Sequence, residues 1–182
     1  MKRSKAFGFL FVLVAGMAAV YTLSSKNVDS TKVSSAPLNE VIPPIVLDRK
    51  GYSISSEVLK GKYVGIYFSA SWCGPCRSFT PELIEFRNQH AKQFEVLLVG
   101  GDGSTREQEK YVKQYKMPWY AMINQSEAAK RASQTLGVEY IPCLVILDPS
   151  GNVVSKEGVS ELRLWKKGAM DYWSTKSGKD PV

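Results

Sequence analysis

The chain is poor in the residues from which metal sites and disulfide scaffolds are built. Its 182 residues include one histidine, His90, and three cysteines. A small, odd cysteine count cannot supply a disulfide framework. It also falls short of a four-cysteine zinc site, and one histidine does not complete the set, so no metal is expected. No internal repeat is evident, which excludes a repeat architecture. Blocks of like charge are missing beyond the extreme N-terminus. Of the formal +7, Lys2, Arg3 and Lys5 supply three charges before the first acid, Asp29. The other 21 of the 24 basic residues are interspersed with 17 acidic ones, which leaves no footprint for nucleic acid.

One long apolar run is present. Ala6 to Leu23 is an uncharged stretch of 18 residues behind the basic cluster. That length lies at the upper edge for a signal-peptide core and the lower edge for a membrane span. Small residues at Gly16 and Ala18, or at Thr22 and Ser24, suit a signal peptidase. No cysteine follows the run, which argues against lipid attachment. The basic cluster should stay in the cytoplasm and place the rest on the far side. Residues 1–25 are therefore expected to be a signal peptide or membrane anchor, with residues 6–23 as the apolar core. A periplasmic or secreted domain would follow. A buried core helix is the alternative; position and flanking charge fit export better. Residues 26–44, rich in Ser with scattered Lys, read as a linker that Pro43-Pro44 closes. Hydrophobic content of 44% and charge of 23% are ordinary for the remaining globular part. A domain of about 140 residues buries roughly two thirds of its unfolded surface and folds without a staple.

The domain, residues 45–174, alternates strand and helix signals. Ile45-Val46-Leu47 and Tyr52-Ser53-Ile54 flank a turn at Asp48-Arg49-Lys50-Gly51, which predicts a hairpin. Ser55 to Gly61 reads as a short helical turn. Tyr63 to Ser69 is apolar on both faces, as a central strand covered on both sides would be. A helical pattern runs on from Arg77 with Phe79, Leu83, Ile84 and Phe86 on one side and Pro81 inside it, where a kink is expected. Phe94 to Val99 is a second buried strand. A helix capped at Ser104 or Thr105 follows and ends near Met117-Pro118-Trp119-Tyr120; Glu107 stands at capping-box spacing. Ser126 to Leu136 is a helix closed by Gly137. Cys143 to Leu147 and Asn152 to Ser155 form a second hairpin about Asp148-Pro149-Ser150-Gly151. Glu161 to Trp173 is a final helix, and residues 175–182 are a polar tail. This order predicts an α/β domain with a mixed central sheet flanked by helices, extended at its N-terminus by a β-hairpin.

The stretch that carries chemistry is Trp72-Cys73-Gly74-Pro75-Cys76, between the strand at 63–69 and the helix. Disulfide exchange needs a thiolate, and a free thiol with a pKa of about 8.5 is mostly protonated at neutral pH. At a helix N-terminus the unpaired N–H groups and the helix dipole favour the anion. Cys73 stands there and should attack. Cys76, one turn on, should resolve the mixed disulfide. Gly74 permits the tight turn, and Pro75 fits a first helical turn where its missing N–H is tolerated. Half a zinc site and a permanent structural disulfide remain the other readings of this pair.

These residues resemble the active-site motif of the thioredoxin-like superfamily. Pro81 falls where that superfamily kinks its helix, and Ile141-Pro142 where it has a cis-proline before a late strand. The tryparedoxin and nucleoredoxin branch is the most similar. The similarity rests on Tyr67-Phe68-Ser69-Ala70-Ser71-Trp72-Cys73, on Phe79-Thr80-Pro81-Glu82-Leu83 and on Lys116-Met117-Pro118-Trp119. Leu59-Lys60-Gly61-Lys62 and the hairpin also look like exported thioredoxin-like reductases. The resemblance implies a thioredoxin-like fold over about Ile45 to Ser155. It implies a redox-active Cys73–Cys76 disulfide with no other cofactor, and substrate contacts from Trp72, Gly74, Pro75, Ile141 and Pro142. Ile141 would pair its backbone with the substrate chain. Partners would be protein disulfides and a membrane or soluble electron donor, met by a monomeric domain.

The chain departs from that pattern in three places. Tyr67 occupies the strand position where thioredoxins carry a buried aspartate, so Asp102 or a water is left as a substitute. The segment between Val99 and Pro142 is longer than in thioredoxin. Cys143 follows Pro142 where threonine is common; it is either a small buried hydrophobe or a third thiol that modulates the cycle. His90 is expected at the surface with no role, and Trp119 and Tyr120 as core or loop anchors. Gly-Pro between the cysteines resembles reducing members, so the expectation is a protein-disulfide reductase outside the cytoplasm. The alternative is a non-catalytic binding or chaperone module with a structural disulfide. A thiol peroxidase fits a C-x-x-C less well.

Overall fold

The structure is a computed structural model and describes residues 41–177. The strands are β1 (Ile45–Leu47), β2 (Ser53–Ser55), β3 (Tyr63–Ser69), β4 (Phe94–Gly100), β5 (Tyr120–Ala121), β6 (Cys143–Leu147) and β7 (Val153–Ser155). The α-helices are α1 (Gly74–Gln89), α2 (Thr105–Gln114), α3 (Glu127–Leu136), α4 (Gly158–Trp165) and α5 (Ala169–Lys176). The strands join in one mixed sheet of order β2-β1-β5-β4-β3-β6-β7. β3, β4 and β5 run parallel, and β1 and β6 join them antiparallel.

The apolar residues on both faces of β3 explain its central place. Tyr63 and Tyr67 meet Phe79, Leu83 and Phe86 of α1, Tyr111 of α2 and Trp173 of α5 on one side. Val64, Ile66 and Phe68 meet Leu97, Val99 and the α3 residues Ala129, Ala132 and Leu136 on the other. A strand that alternates its side chains between two covered faces needs such a run.

Both predicted hairpins are present and use one device. Asp48 Oδ1 accepts from the N–H of Lys50 and Tyr52, and Asp148 Oδ1 from those of Ser150 and Asn152. Gly51 and Gly151 close the two turns at φ of 88° and 87°, a region open to glycine at little cost.

Several expectations need correction. The packed unit reaches back to Val41 and Ile42, which lie buried against the α3 face although the linker expectation included them. The helix after the cysteines starts at Gly74 rather than with the pattern at Arg77. β5 was not foreseen; its two residues are too few to show a period. The final helix is two helices. Lys166–Gly168 forms a tight turn between α4 and α5, with Lys166 at a φ of 50°, and the second helix runs on through Lys176. Gly168 is a poor helix former, and Leu164 and Trp165 point outward, so nothing holds one continuous helix there. His90 caps the C-terminal end of α1 half-buried, its ring 4.5 Å from that of Phe86. Burial lowers its pKa.

The expected signal or anchor at residues 1–25, most of the linker and the end of the tail lie outside the described residues. Among the described residues no helix is long and apolar enough to cross a membrane.

Candidate active site

β3 and β4 end side by side, Ser69 opposite Gly100, and the chain leaves both at the same edge of the sheet. Four hydrogen bonds join the two exits. Gly101 N–H donates to Ser69 O at 2.8 Å, and Trp72 Nε1 donates to Gly101 O at 3.1 Å. The Ser71 N–H and hydroxyl donate to Asp102 Oδ1 at 2.9 and 2.7 Å. Trp72 is thereby fixed by its nitrogen while 65% of its surface stays exposed.

Cys73 is the N-cap of α1, and its sulfur accepts from the Cys76 N–H at 3.2 Å. That bond aims one of the free donors of the helix start at the sulfur, and the first turn holds no acidic side chain to oppose an anion. Pro75 sits in this turn as expected, beside an unobstructed Gly74. Cys73 and Cys76 are joined in a disulfide with 5.2 Å between Cα atoms. Cys73 is 5% exposed and Cys76 fully buried, so Cys73 is the one that a partner can reach.

The Ile141–Pro142 peptide is cis, and the Ile141 carbonyl oxygen lies 3.8 Å from the Cys73 sulfur. Between Trp72 and the exposed Tyr140 runs a groove of about 500 Å³, lined also by Gly101, Ala129, Val138 and Ile141. Trp72 to Cys76 and Ile141-Pro142, named separately from the sequence, thus converge on one surface.

Behind the dithiol, Tyr67 fills the place of the missing acid. It is fully buried, and its hydroxyl donates to the Cys76 carbonyl at 3.2 Å and lies 3.0 Å from Thr80 Oγ1. Burial pushes its pKa well above the ordinary phenol range. Asp102 does not take over, because the oxygen it directs at this region holds Ser71 and neither cysteine. Cys143 starts β6 next to Pro142 as a free, half-buried thiol. Burial raises its pKa, which disfavours the thiolate. Thr80 and Tyr111, which complete the surroundings of Tyr67, were missed from the sequence. A threonine four residues after Cys76 was the available signal, since it can bond back to that carbonyl. Among the described residues no cluster of His, Cys, Asp or Glu is arranged to hold a metal ion.

A thioredoxin-like family model matches residues 61–153, about half of the chain, from just before β3 to the first residue of β7. The chain belongs to the thioredoxin-like family. Among curated relatives, nucleoredoxin of Mus musculus is 40% identical over 132 residues, which are 69% of this chain but 29% of that protein. The chain therefore spans about a third or less of the length of the nucleoredoxins it matches. Tryparedoxin of Trypanosoma brucei brucei is 43% identical over 102 residues, 54% of this chain and 69% of that one. The solved tryparedoxin from Trypanosoma brucei superposes with a TM-score of 0.66 at 36% identity, covering 75% of this chain and 96% of the other. A tryparedoxin II complexed with glutathionylspermidine has a TM-score of 0.65 at 33% identity, over 72% and 94% of the two chains. The relatives are thiol-disulfide oxidoreductases, and the mixed central sheet flanked by helices matches the tryparedoxin structures.

Proposed function

We propose that this protein is a protein-disulfide reductase that works through the Cys73–Cys76 dithiol. The observation that carries the reading is the helix-start bond from the Cys76 N–H to the Cys73 sulfur, beside the cis peptide at Pro142. In the reduced protein the Cys73 thiolate attacks one sulfur of a substrate disulfide. The other substrate sulfur leaves as a thiolate and takes a proton from solvent. Cys76 then gives up its proton and attacks the Cys73 sulfur. The second substrate thiolate is released and the Cys73–Cys76 disulfide forms. Two electrons and two protons pass to the substrate, and a thiol reductant must return them. The relative solved with glutathionylspermidine supports a small glutathione-derived thiol as one class of reductant. The Trp72–Tyr140 groove supports an extended polypeptide as the substrate, with Ile141 offering its backbone.

The basic start and apolar run of residues 2–23 support action outside the cytoplasm, with a membrane or soluble donor supplying electrons. The near-burial of both cysteines favours a second reading, a binding module with an inert disulfide. The potential separates the two, because a structural disulfide lies below about −300 mV and a catalytic one above it. The direct test is insulin reduction by the full chain, kept reduced with dithiothreitol. Acceleration that Cys73→Ser abolishes is expected; an inert wild type, or undiminished activity in Cys73→Ser, refutes the proposal.

A further inference from the structure

A buried row of hydroxyls runs behind the dithiol. Ser69 ends β3, Thr80 lies on α1 one turn after Cys76, and Tyr111 comes from α2; all three are buried. Ser69 Oγ is 3.0 Å from Tyr111 OH, which is 2.8 Å from Thr80 Oγ1. Thr80 Oγ1 is 2.9 Å from the Cys76 carbonyl oxygen. A carbonyl can only accept, so Thr80 spends its one proton on Cys76. Tyr111 must then donate to Thr80, and Ser69 to Tyr111. The single acceptor at the end orients the whole row. Successive bonds of this kind polarise one another, by about 10–30% each.

The row continues past that oxygen. The peptide group that carries the Cys76 carbonyl also carries the Arg77 N–H, which donates to the Cys73 carbonyl at 3.1 Å. The hydroxyls are thus tied, through one peptide, to the main chain of the residue whose sulfur receives the Cys76 N–H.

We propose that Ser69, Tyr111 and Thr80 are positioning residues that hold the turn from Cys73 to Arg77 so that the Cys76 N–H stays aimed at the Cys73 sulfur. In the reduced protein this favours the Cys73 thiolate. The inference rests on Cys73 being the attacking group. The ionisable groups on the segments around Cys73 are Cys76 and Arg77 on α1, Tyr67 on β3 and Tyr111 on α2. Asp102 lies behind Ser71, and Glu139, Tyr140 and Cys143 flank Pro142, with Arg163 on α4. Apart from Tyr111, the variants below leave all of these in place.

The test uses the full chain with Tyr111→Phe, Thr80→Val or Thr80→Ser. The alkylation rate of Cys73 by iodoacetamide is followed by peptide mass across neutral and alkaline pH, beside insulin reduction. Tyr111→Phe keeps the ring and loses the hydroxyl. In it and in Thr80→Val, Cys73 should need a higher pH to ionise, and both rates at neutral pH should fall about fivefold, as the loss of one hydrogen bond implies. Both rates should recover where Cys73 is fully ionised, and Thr80→Ser should keep the wild-type profile. A merely structural role would lower the rates at every pH and leave the midpoint in place. An unmoved midpoint in both Tyr111→Phe and Thr80→Val, with the wild type active, overturns this inference alone. A wild type that does not reduce insulin overturns the reading beneath it. If Tyr111→Phe does not fold, Ser69→Ala gives the same readout by the same criterion.

Discussion

Replacing Asp102 by alanine tests how far the active-site loop depends on the neighbouring exit from the sheet. Asp102 is 2% exposed, and its Oδ1 holds both the N–H and the hydroxyl of Ser71, one residue before Trp72. Alanine removes both bonds at once. Hydrogen bonds to a charged group contribute about 1.5–3 kcal/mol each. These two share one oxygen and one partner residue, so they do not add fully. Ser71 is only half-buried and can turn its donors to water. Asp102 Oδ2 has no hydrogen-bond partner among the described residues, so removing the carboxylate also relieves a desolvation cost. The expected loss is therefore about 2–3 kcal/mol in unfolding free energy. Asparagine keeps an oxygen in the same place and loses only the charge assistance, at a cost of about 1 kcal/mol. Trp72 Nε1 and Gly101 N–H keep their bonds in both variants, so the loop loosens without coming free. Urea unfolding measures the cost, and kcat/KM for insulin should fall in the same order, alanine below asparagine below wild type. An alanine variant within about 0.5 kcal/mol of wild type, or an asparagine variant as unstable as alanine, would refute the clamp.

Two further outcomes follow from packing and charge. A Cβ on Gly158 would lie 2.5 Å from the Leu144 carbonyl oxygen, whereas one on Gly168 meets nothing within 4 Å. Gly158→Ala should therefore cost about 1–3 kcal/mol or more. Gly168→Ala, at an ordinary φ of −78°, should stabilise by up to about 1 kcal/mol; denaturant midpoints that move in the same direction would refute this. Burial raises the Glu161 carboxyl, but hydrogen bonds from Lys176, Ser155 and Trp173 outweigh it and hold its pKa below the usual value. Its contribution is thus present above the unfolded-state pKa of about 4.3 and lost as the pH falls through the folded value. Glu161→Gln should flatten the acid limb of a stability-against-pH curve, and an unchanged limb would exclude the pair as its source.

What the sequence made legible was local. Tyr63 to Ser69 shows its burial in its own composition. The Asp-x-x-Gly turns carry their caps within four residues. Ser104 caps α2 with the Glu107 N–H on its Oγ at 3.3 Å, although the Glu107 carboxylate accepts from the Ser104 hydroxyl rather than from its N–H, and Gly137 ends α3 in the left-handed region. The dithiol was legible for the same reason, because Cys73 and Cys76 lie one turn apart at the start of one helix. What stayed hidden depends on tertiary approach. Tyr111 meets Thr80 across 31 residues of chain, and nothing in an amphipathic helix says where the hydroxyl of its buried tyrosine will point. Val41 and Ile42 lie in a polar stretch whose composition outweighs two apolar residues until a groove against α3 is there to take them. Asp102 was rightly placed near the site, yet its partner could not be read, since an aspartate after a strand fits a helix cap or a turn equally well.

The exchange of a buried acid for Tyr67 bears on how the dithiol is controlled. A carboxylate behind Cys76 would place a negative charge near the sulfurs and could take a proton. A phenol whose pKa burial pushes far above neutrality does neither. Its proton, like that of Thr80, points at the Cys76 carbonyl, so the surroundings of the dithiol are neutral and donor-rich on the inner side. Among the described residues, the acid bonded to the active-site loop is Asp102, and it is occupied with Ser71. In the proposed reductase, anion stabilisation at Cys73 therefore rests on N–H groups and hydroxyl dipoles rather than on a bonded charge. Dipoles act only at short range and only when held in place. A site built on them needs its first helical turn fixed more firmly than a site that relies on a charge. The bonds converging on the Cys76 carbonyl and the loop clamp at Ser71 hold the segments just after and just before Cys73.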